Sequence, residues 1–352
     1  MVVDRLYYMD LLRGFLMMLG IVLHTMAVFA VDSNWKVSSP NSAVYAQPIL
    51  GAIHLFRMPA FFIISGFFTA LTLSRKRERN FITDRVLRLG IPMLFAGILF
   101  NLPMGNIINN GAGDIGWLDY LTTGGWLGHL WFLGVLILYS AVTALTWRWV
   151  RSILSSERKV ITFLLFSFLA LCYPVVLRID WQMEAMGLKL LLVSVSSIFQ
   201  YSPYFILGII FYFKSGKLLL GNHLSKWVLL SSVFFSIWYV VEVRIITDIL
   251  MFIMASAMSF TLFSFAEKFF SKPAKWKRKF SGSSYTVYLT HQPIIILLAL
   301  YFINSSINVH IQLSAILLIT FGLALFTHFI LVERSRYLAF FMSGKPLRQN
   351  KA

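Results

Sequence analysis

Three ionisable side chains, Asp10, Arg13 and His24, stand in the first long apolar run of the chain. An ionisable group in hydrocarbon costs roughly 2.5–3.5 kcal/mol on insertion scales, so each asks for a compensating role. Arg13 and His24 are eleven residues apart. On a helix that spacing returns to within about 20° of the same direction after three turns and separates the pair by about 16 Å along the axis. Asp10, three residues before Arg13, shares that face. A histidine with an unperturbed pKa near 6.5 can serve as general base on a hydroxyl. It can also carry an acyl group itself as an acyl-imidazole. The structural alternative, an arginine anchored at headgroups and a core histidine, does not require the shared face.

The same pattern recurs in other apolar runs. The second reads His54-Leu55-Phe56-Arg57-Met58-Pro59, with Ser65 about 20° from His54 on the helical wheel. Snorkelling of His54 and Arg57 to an interface is the rival reading there. The fourth opens Gly128-His129-Leu130-Trp131, where an aromatic belt competes with a site. The ninth carries Ser284, Tyr288 and His291 within one stripe, and Arg85 and Arg88 open the third. Together these residues predict a histidine cluster of His24, His54 and His129 in the outer half of a helical bundle. They also predict a basic, hydroxyl-lined inner mouth of Arg13, Arg85, Arg88, Ser284, Tyr288 and His291.

The elements that must position these residues are membrane spans. Of 352 residues 58% are hydrophobic and 13% charged, well below the quarter typical of soluble domains. The apolar runs lie near 11–31, 48–74, 86–108, 126–147, 160–178, 190–213, 227–243, 246–267, 284–304 and 312–332. Their length fits a bilayer core, and continuous apolar runs of that length read as helices rather than barrel strands. The expected fold is therefore an all-α polytopic membrane protein with about ten transmembrane helices in a single domain, 1–352. The first run is too long for a signal peptide and lacks a small-residue cleavage site.

The net charge of +17 falls in alternate connectors: those after even spans, with the tail, hold 23 of the 31 lysines and arginines. The positive-inside rule then puts both termini in the cytoplasm, and the pattern argues against nucleic acid as partner. Cys172 is the single cysteine, so no intrachain disulfide or thiolate metal site is available. The absence of HExxH, P-loop and GxSxG motifs leaves common hydrolase and ATPase chemistries unsupported.

Six stretches in order resemble the acyltransferase-3 family of transmembrane acyltransferases. They are Met9-Asp10-Leu11-Leu12-Arg13-Gly14 with His24 as an R-x10-H element, and Phe56-Arg57-Met58-Pro59 running to Gly66. Arg85-Val86-Leu87-Arg88 with Pro92, His129-Leu130-Trp131-Phe132, Tyr288-Leu289-Thr290-His291-Gln292-Pro293 and Ser343-Gly344-Lys345-Pro346 follow. The wording of the second span and of the tail resembles a glucan-modifying branch of that family.

The resemblance implies transfer of an acyl group, succinyl or acetyl, from cytoplasmic acyl-CoA to a sugar hydroxyl of a periplasmic or extracytoplasmic glycan. It implies a multi-pass protein of the bacterial inner membrane, in contact with lipid. His24 matches the family's essential histidine and Arg13 its paired arginine. Within that reading His54 or Arg57 is expected to meet the oxyanion. Arg13, Arg85 and Arg88, with Ser284, Tyr288 and His291, are expected to receive the donor, succinyl-CoA or acetyl-CoA. His129, Trp131, Trp117 and Trp126, and also Trp35 and Tyr120, are candidates to meet the sugar. No metal is called for. A transporter of glycan or lipid is the rival from another class, since buried polar residues also mark transport paths. The paired broken helices of two related halves are not evident. An assembly subunit whose polar residues serve only helix contacts is a third reading.

Overall fold

The computed structural model describes residues 6–31, 33, 35–109, 124–155, 159–186, 189–190, 193–214 and 220–344. The chain opens with α1 (Tyr7–Phe29) and α2 (Ala46–Leu73). A third helical rod follows, built from α3 (Glu78–Arg85), a π turn (Val86–Gly90), α4 (Ile91–Ala96), a second π turn (Gly97–Asn101) and α5 (Leu102–Asn109). A 3₁₀ turn (Gly125–Leu130) leads into α6 (Trp131–Leu154), and α7 (Lys159–Ala185) comes next. An antiparallel pair of two-residue strands, β1 (Lys189–Leu190) and β2 (Val193–Ser194), precedes α8 (Val195–Lys214). A 3₁₀ turn (Leu220–His223) and α9 (Leu224–Val240) precede α10 (Arg244–Phe270), α11 (Lys275–Phe302) and α12 (Val309–Phe326). A third π turn (Thr327–Val332) and α13 (Arg336–Ser343) end the described chain.

Apart from that short ladder the described elements are helical, because apolar segments in lipid must satisfy their backbone internally. Nine of the described helices are long and apolar enough to cross a membrane. The chain is thus an all-α polytopic membrane protein. The span expected near 227–243 is α9, an apolar helix of 17 residues. Its length is about 26 Å, short of the roughly 30 Å hydrocarbon core. It packs along α10 and buries none of its own side chains.

The residues group into two compact units. One comprises 1–13, 55–85 and 135–278, the other 14–54, 86–134 and 279–352. The first has an aromatic core: Phe62 stacks on Tyr201 at 4.9 Å, and Tyr204 and Tyr173 each meet Phe252, at 5.1 and 5.3 Å. Helices α2 and α8 touch through glycines. A β-carbon on Gly66 would stand 2.0 Å from the Phe205 carbonyl oxygen, and one on Gly208 2.0 Å from that of Ile63. Such close approach is how membrane helices associate without a hydrophobic drive between them.

The second unit packs Ile21, Val28 and Phe29 of α1 against Val287, Ile295 and Ile296 of α11 and Leu313 and Ile316 of α12. The segment after α1 is tied back to it. Ser39 N–H donates to the Val28 carbonyl at 2.8 Å, Ala43 N–H to Phe29 at 2.9 Å, and the Ser33 hydroxyl to Ala27 at 2.6 Å. Those bonds fix the course of Trp35 and Lys36.

Candidate active site

Within the second unit, α11 carries Tyr288, His291 and Gln292 at helical spacings of three and four, so the three side chains share one side. His291 is fully buried, and Tyr288 and Gln292 are both 3% exposed. His24 of α1 places its ring 5.3 Å from that of His291, tilted by 32°, and it stacks on Trp35 at 5.4 Å. His129, from the 3₁₀ turn before α6, meets His291 edge-on at 5.0 Å and Tyr288 at 5.2 Å. Phe132 closes the group edge-on against Tyr288 at 4.8 Å. Three histidines far apart in sequence are thus gathered in one enclosed cluster.

Hydrogen bonds settle where protons sit on two of these rings. A backbone carbonyl only accepts. The Tyr288 carbonyl lies 3.0 Å from His129 Nε2 and 2.7 Å from His291 Nδ1, so both nitrogens carry hydrogen and donate to it. The Val287 carbonyl, 3.2 Å from His291 Nδ1, is a second acceptor. Neutral His291 therefore keeps its lone pair on Nε2, an atom enclosed by protein. His129 Nδ1 faces the Gln292 side-chain amide at 2.6 Å. That amide can present NH2 to a neutral ring or oxygen to a protonated one, so it serves either state. The Tyr288 hydroxyl donates to the His129 carbonyl at 2.5 Å and holds the turn.

The backbone around the cluster departs from regular helix. Gly128 has φ 48° and ψ −125°, a conformation that needs glycine. Its hydrogen faces three polar ends. A β-carbon there would stand 3.1 Å from Lys36 Nζ, 3.2 Å from Asn101 Nδ2 and 3.3 Å from Gln292 Oε1. Asn101 closes the second π turn and donates to the Leu127 carbonyl at 3.0 Å. π turns inside helices recur at functional sites because they re-aim side chains. Desolvation lowers the Lys36 pKa from the usual lysine value of 10.5, although the residue remains exposed along its length.

The expected site residues fare unequally. His24 and His129 each lie against the His291 ring. His291 and Tyr288, expected at a separate inner mouth, join them instead, because their side of α11 faces the turn that carries His129. His54 is exposed on α2. Arg57 is half-buried, with Nη1 3.9 Å from Met58 Sδ. In the first unit Arg13 lies 3.6 Å from Asp10 and over the Phe68 ring at 5.8 Å. Arg85 donates to Thr69 at 3.4 Å and covers Phe81 at 5.2 Å.

In the second unit Arg88 is exposed, with its carbonyl accepting from the Tyr285 hydroxyl at 3.3 Å. Ser284 is buried and spends its hydroxyl on the Ser281 carbonyl, 2.9 Å away on its own helix. Trp126 is buried too, its ring 2.4 Å from where a β-carbon on Gly97 would stand, which makes it packing rather than an open sugar platform. Trp131 is half-buried. Trp117 and Tyr120 lie outside the described residues.

Sequence reasoning assigned no role to Gln292, Asn101 or Lys36. Gln292 and Asn101 carried a signal, a polar amide in an apolar run. Lys36 carried none, since a lysine in a connector is ordinary. A fourth histidine, His328, is also buried, with Nδ1 2.8 Å from the Thr286 hydroxyl and Nε2 3.6 Å from Glu333. Among the described residues no group of three or more His, Cys, Asp or Glu is placed to hold a metal ion.

Comparison with known proteins gives one family. The acyltransferase-3 model, an acyltransferase domain, matches residues 6–332. The chain is similar to glucans biosynthesis protein C of Escherichia coli strain K12, 26% identical over 372 residues, which cover 98% of this chain and 96% of that protein. It is likewise similar to glucans biosynthesis protein C of Salmonella paratyphi B, 27% identical over 374 residues, with 97% and 95% covered. No solved structure matches it.

Proposed function

The chain belongs to the acyltransferase-3 family of membrane O-acyltransferases, and from that premise we propose that it transfers an acyl group from cytoplasmic acyl-CoA to a hydroxyl of an extracytoplasmic glucan. The observation that carries this reading is the enclosed trio of His24, His129 and His291, with proton positions on two rings fixed by the Tyr288 carbonyl. The similarity to proteins named for glucan biosynthesis supports a glucan as acceptor. The concentration of lysine and arginine in alternate connectors supports cytoplasmic termini in a bacterial inner membrane, with α9 counted as a tenth crossing.

In the proposed reaction His24 takes the proton of the acceptor hydroxyl as its oxygen attacks the thioester carbonyl. The tetrahedral oxyanion collapses, the carbon–sulfur bond breaks, and the departing CoA thiolate recovers the proton from the His24 imidazolium. The bond formed is an ester, and no ATP is needed because the thioester is already activated. His291 and His129, with set tautomers, hold His24 in register and keep water out, which strengthens every charge interaction in the cluster. Trp35, stacked on His24, holds that ring and offers an aromatic edge to the sugar. Arg13, Arg57, Arg85 and Arg88 are proposed, on charge alone, to attract the anionic donor.

The test is thiol release. Purified protein in detergent, given succinyl-CoA or acetyl-CoA and a linear glucan oligosaccharide, is expected to free CoA thiol in step with ester formed on the sugar. Absence of acceptor-dependent release from either donor would overturn the proposal.

A further inference from the structure

The turn that carries Arg88 is braced by the last described residues of the chain. Val86–Gly90 is a π turn, which closes each hydrogen-bonded ring over one residue more than α-helix. Relaxed to regular helix, it would swing its side chains by up to about 100° around the axis. Such a turn keeps its aim only where neighbouring groups block that relaxation. The Arg88 side chain is exposed, so the brace must act on its backbone.

Three contacts within the second unit do so. Gly344 follows α13 with φ 59° and is buried, its N–H donating to the Phe340 carbonyl at 2.7 Å. It lies so close to the turn that a β-carbon there would overlap the Leu87 carbonyl oxygen and stand 2.5 Å from the Arg88 α-carbon. From α11, the Tyr285 hydroxyl donates to the Arg88 carbonyl at 3.3 Å. Further along the rod, Phe341 of α13 stacks on Phe95 of α4 at 5.2 Å and 19°. The direction of α13 is itself set. The π turn Thr327–Val332 before it is bonded to α11 where His328 Nδ1 meets the Thr286 hydroxyl at 2.8 Å. Ser335 then caps α13 by accepting from the Leu338 N–H at 3.3 Å.

We propose that Gly344 and Tyr285 are positioning residues for the donor: with α13 they hold the Val86–Gly90 turn in the geometry that presents Arg88 to the phosphates of acyl-CoA. Only glycine serves at 344, because the position combines a left-handed φ with direct backbone contact. The inference rests on acyl transfer from CoA and on Arg88 attracting the donor.

The experiment measures kcat and KM for acyl-CoA and for a glucan oligosaccharide, with protein purified in detergent and the donor, succinyl-CoA or acetyl-CoA, that the wild type turns over. Gly344→Ala is expected to raise the acyl-CoA KM at least about fivefold, with kcat and acceptor KM within about twofold, the signature of lost donor binding. Arg88→Ala is expected to raise it as much or more. Gly344→Ala added to Arg88→Ala should change it by less than about twofold, because two changes that act through one contact do not add. Tyr285→Phe keeps the ring and removes only the hydroxyl. It should give the same pattern at smaller size, and it carries the test if Gly344→Ala yields no folded protein. An acyl-CoA KM that neither variant moves overturns the proposal. So does a fall in kcat with both KM values rising together, or a Gly344→Ala effect that persists in full beside Arg88→Ala. Those results leave acyl transfer standing, whereas a wild type without turnover removes the underlying reading and this inference with it.

Discussion

The cores of the two units are built on opposite principles. In the first, α2 and α8 run as regular helices pressed together at Gly66 and Gly208, and the space is filled by aromatic rings such as Phe62, Tyr201 and Phe252. In the second, the helices are interrupted by π turns and by the left-handed Gly128, and the space holds His24, His129, His291, Gln292 and Asn101. Regular backbone with glycine contacts maximises packing, the term that holds helices together in lipid. Broken backbone costs packing and gains aim, which only chemistry repays. On the proposed function the first core is structural and the second reactive.

Substitutions in the two cores should therefore fail in different ways. The largest effect on turnover is expected from His24→Ala, an acyl-transfer rate at least about a hundredfold lower, in the range of lost acid–base catalysis. Thermal unfolding in detergent should move little by comparison. Gly208→Leu should do the reverse, since a side chain must displace the Ile63 carbonyl 2.0 Å away. Overpacking of that kind costs about 1–3 kcal/mol, so folded yield should drop while the surviving protein keeps its rate. If His24→Ala melts early and Gly208→Leu does not, the contrast between the cores is wrong.

Gly128→Ala tests the broken backbone itself. An alanine at φ 48° carries about 1–2 kcal/mol of left-handed strain and meets Lys36, Asn101 and Gln292. A loss of about tenfold in acyl-transfer rate is expected, as the strain and the displaced amides disturb the turn that carries His129. The smallest effect is expected from Tyr288→Phe, which removes the bond to the His129 carbonyl. A net hydrogen bond of about 1 kcal/mol corresponds to about a fivefold slower rate.

What the sequence disclosed follows from what each residue costs. His24 stood out in the sequence because an ionisable group in an apolar run is expensive wherever it points. His291 was legible as polar but not as a neighbour of His24 and His129, since helical wheels give a face and not the partner it meets. His54 carried the same signal as His24 and yet is exposed. Gln292 and His129 lie 163 residues apart, so their bond is purely tertiary. Gly128 hid its role because the sign of φ is not written in a glycine. The spans were legible almost throughout, as lipid imposes length and hydropathy together. α9 differs because its apolar run yields 17 helical residues before the backbone extends at Val241.

The most direct test of the central claim is the ester content of the glycan in cells that make either the wild-type protein or His24→Ala at matched membrane levels. Acyl esters present with the wild type and absent with His24→Ala are the predicted result. Esters undiminished by the substitution would contradict a catalytic histidine cluster.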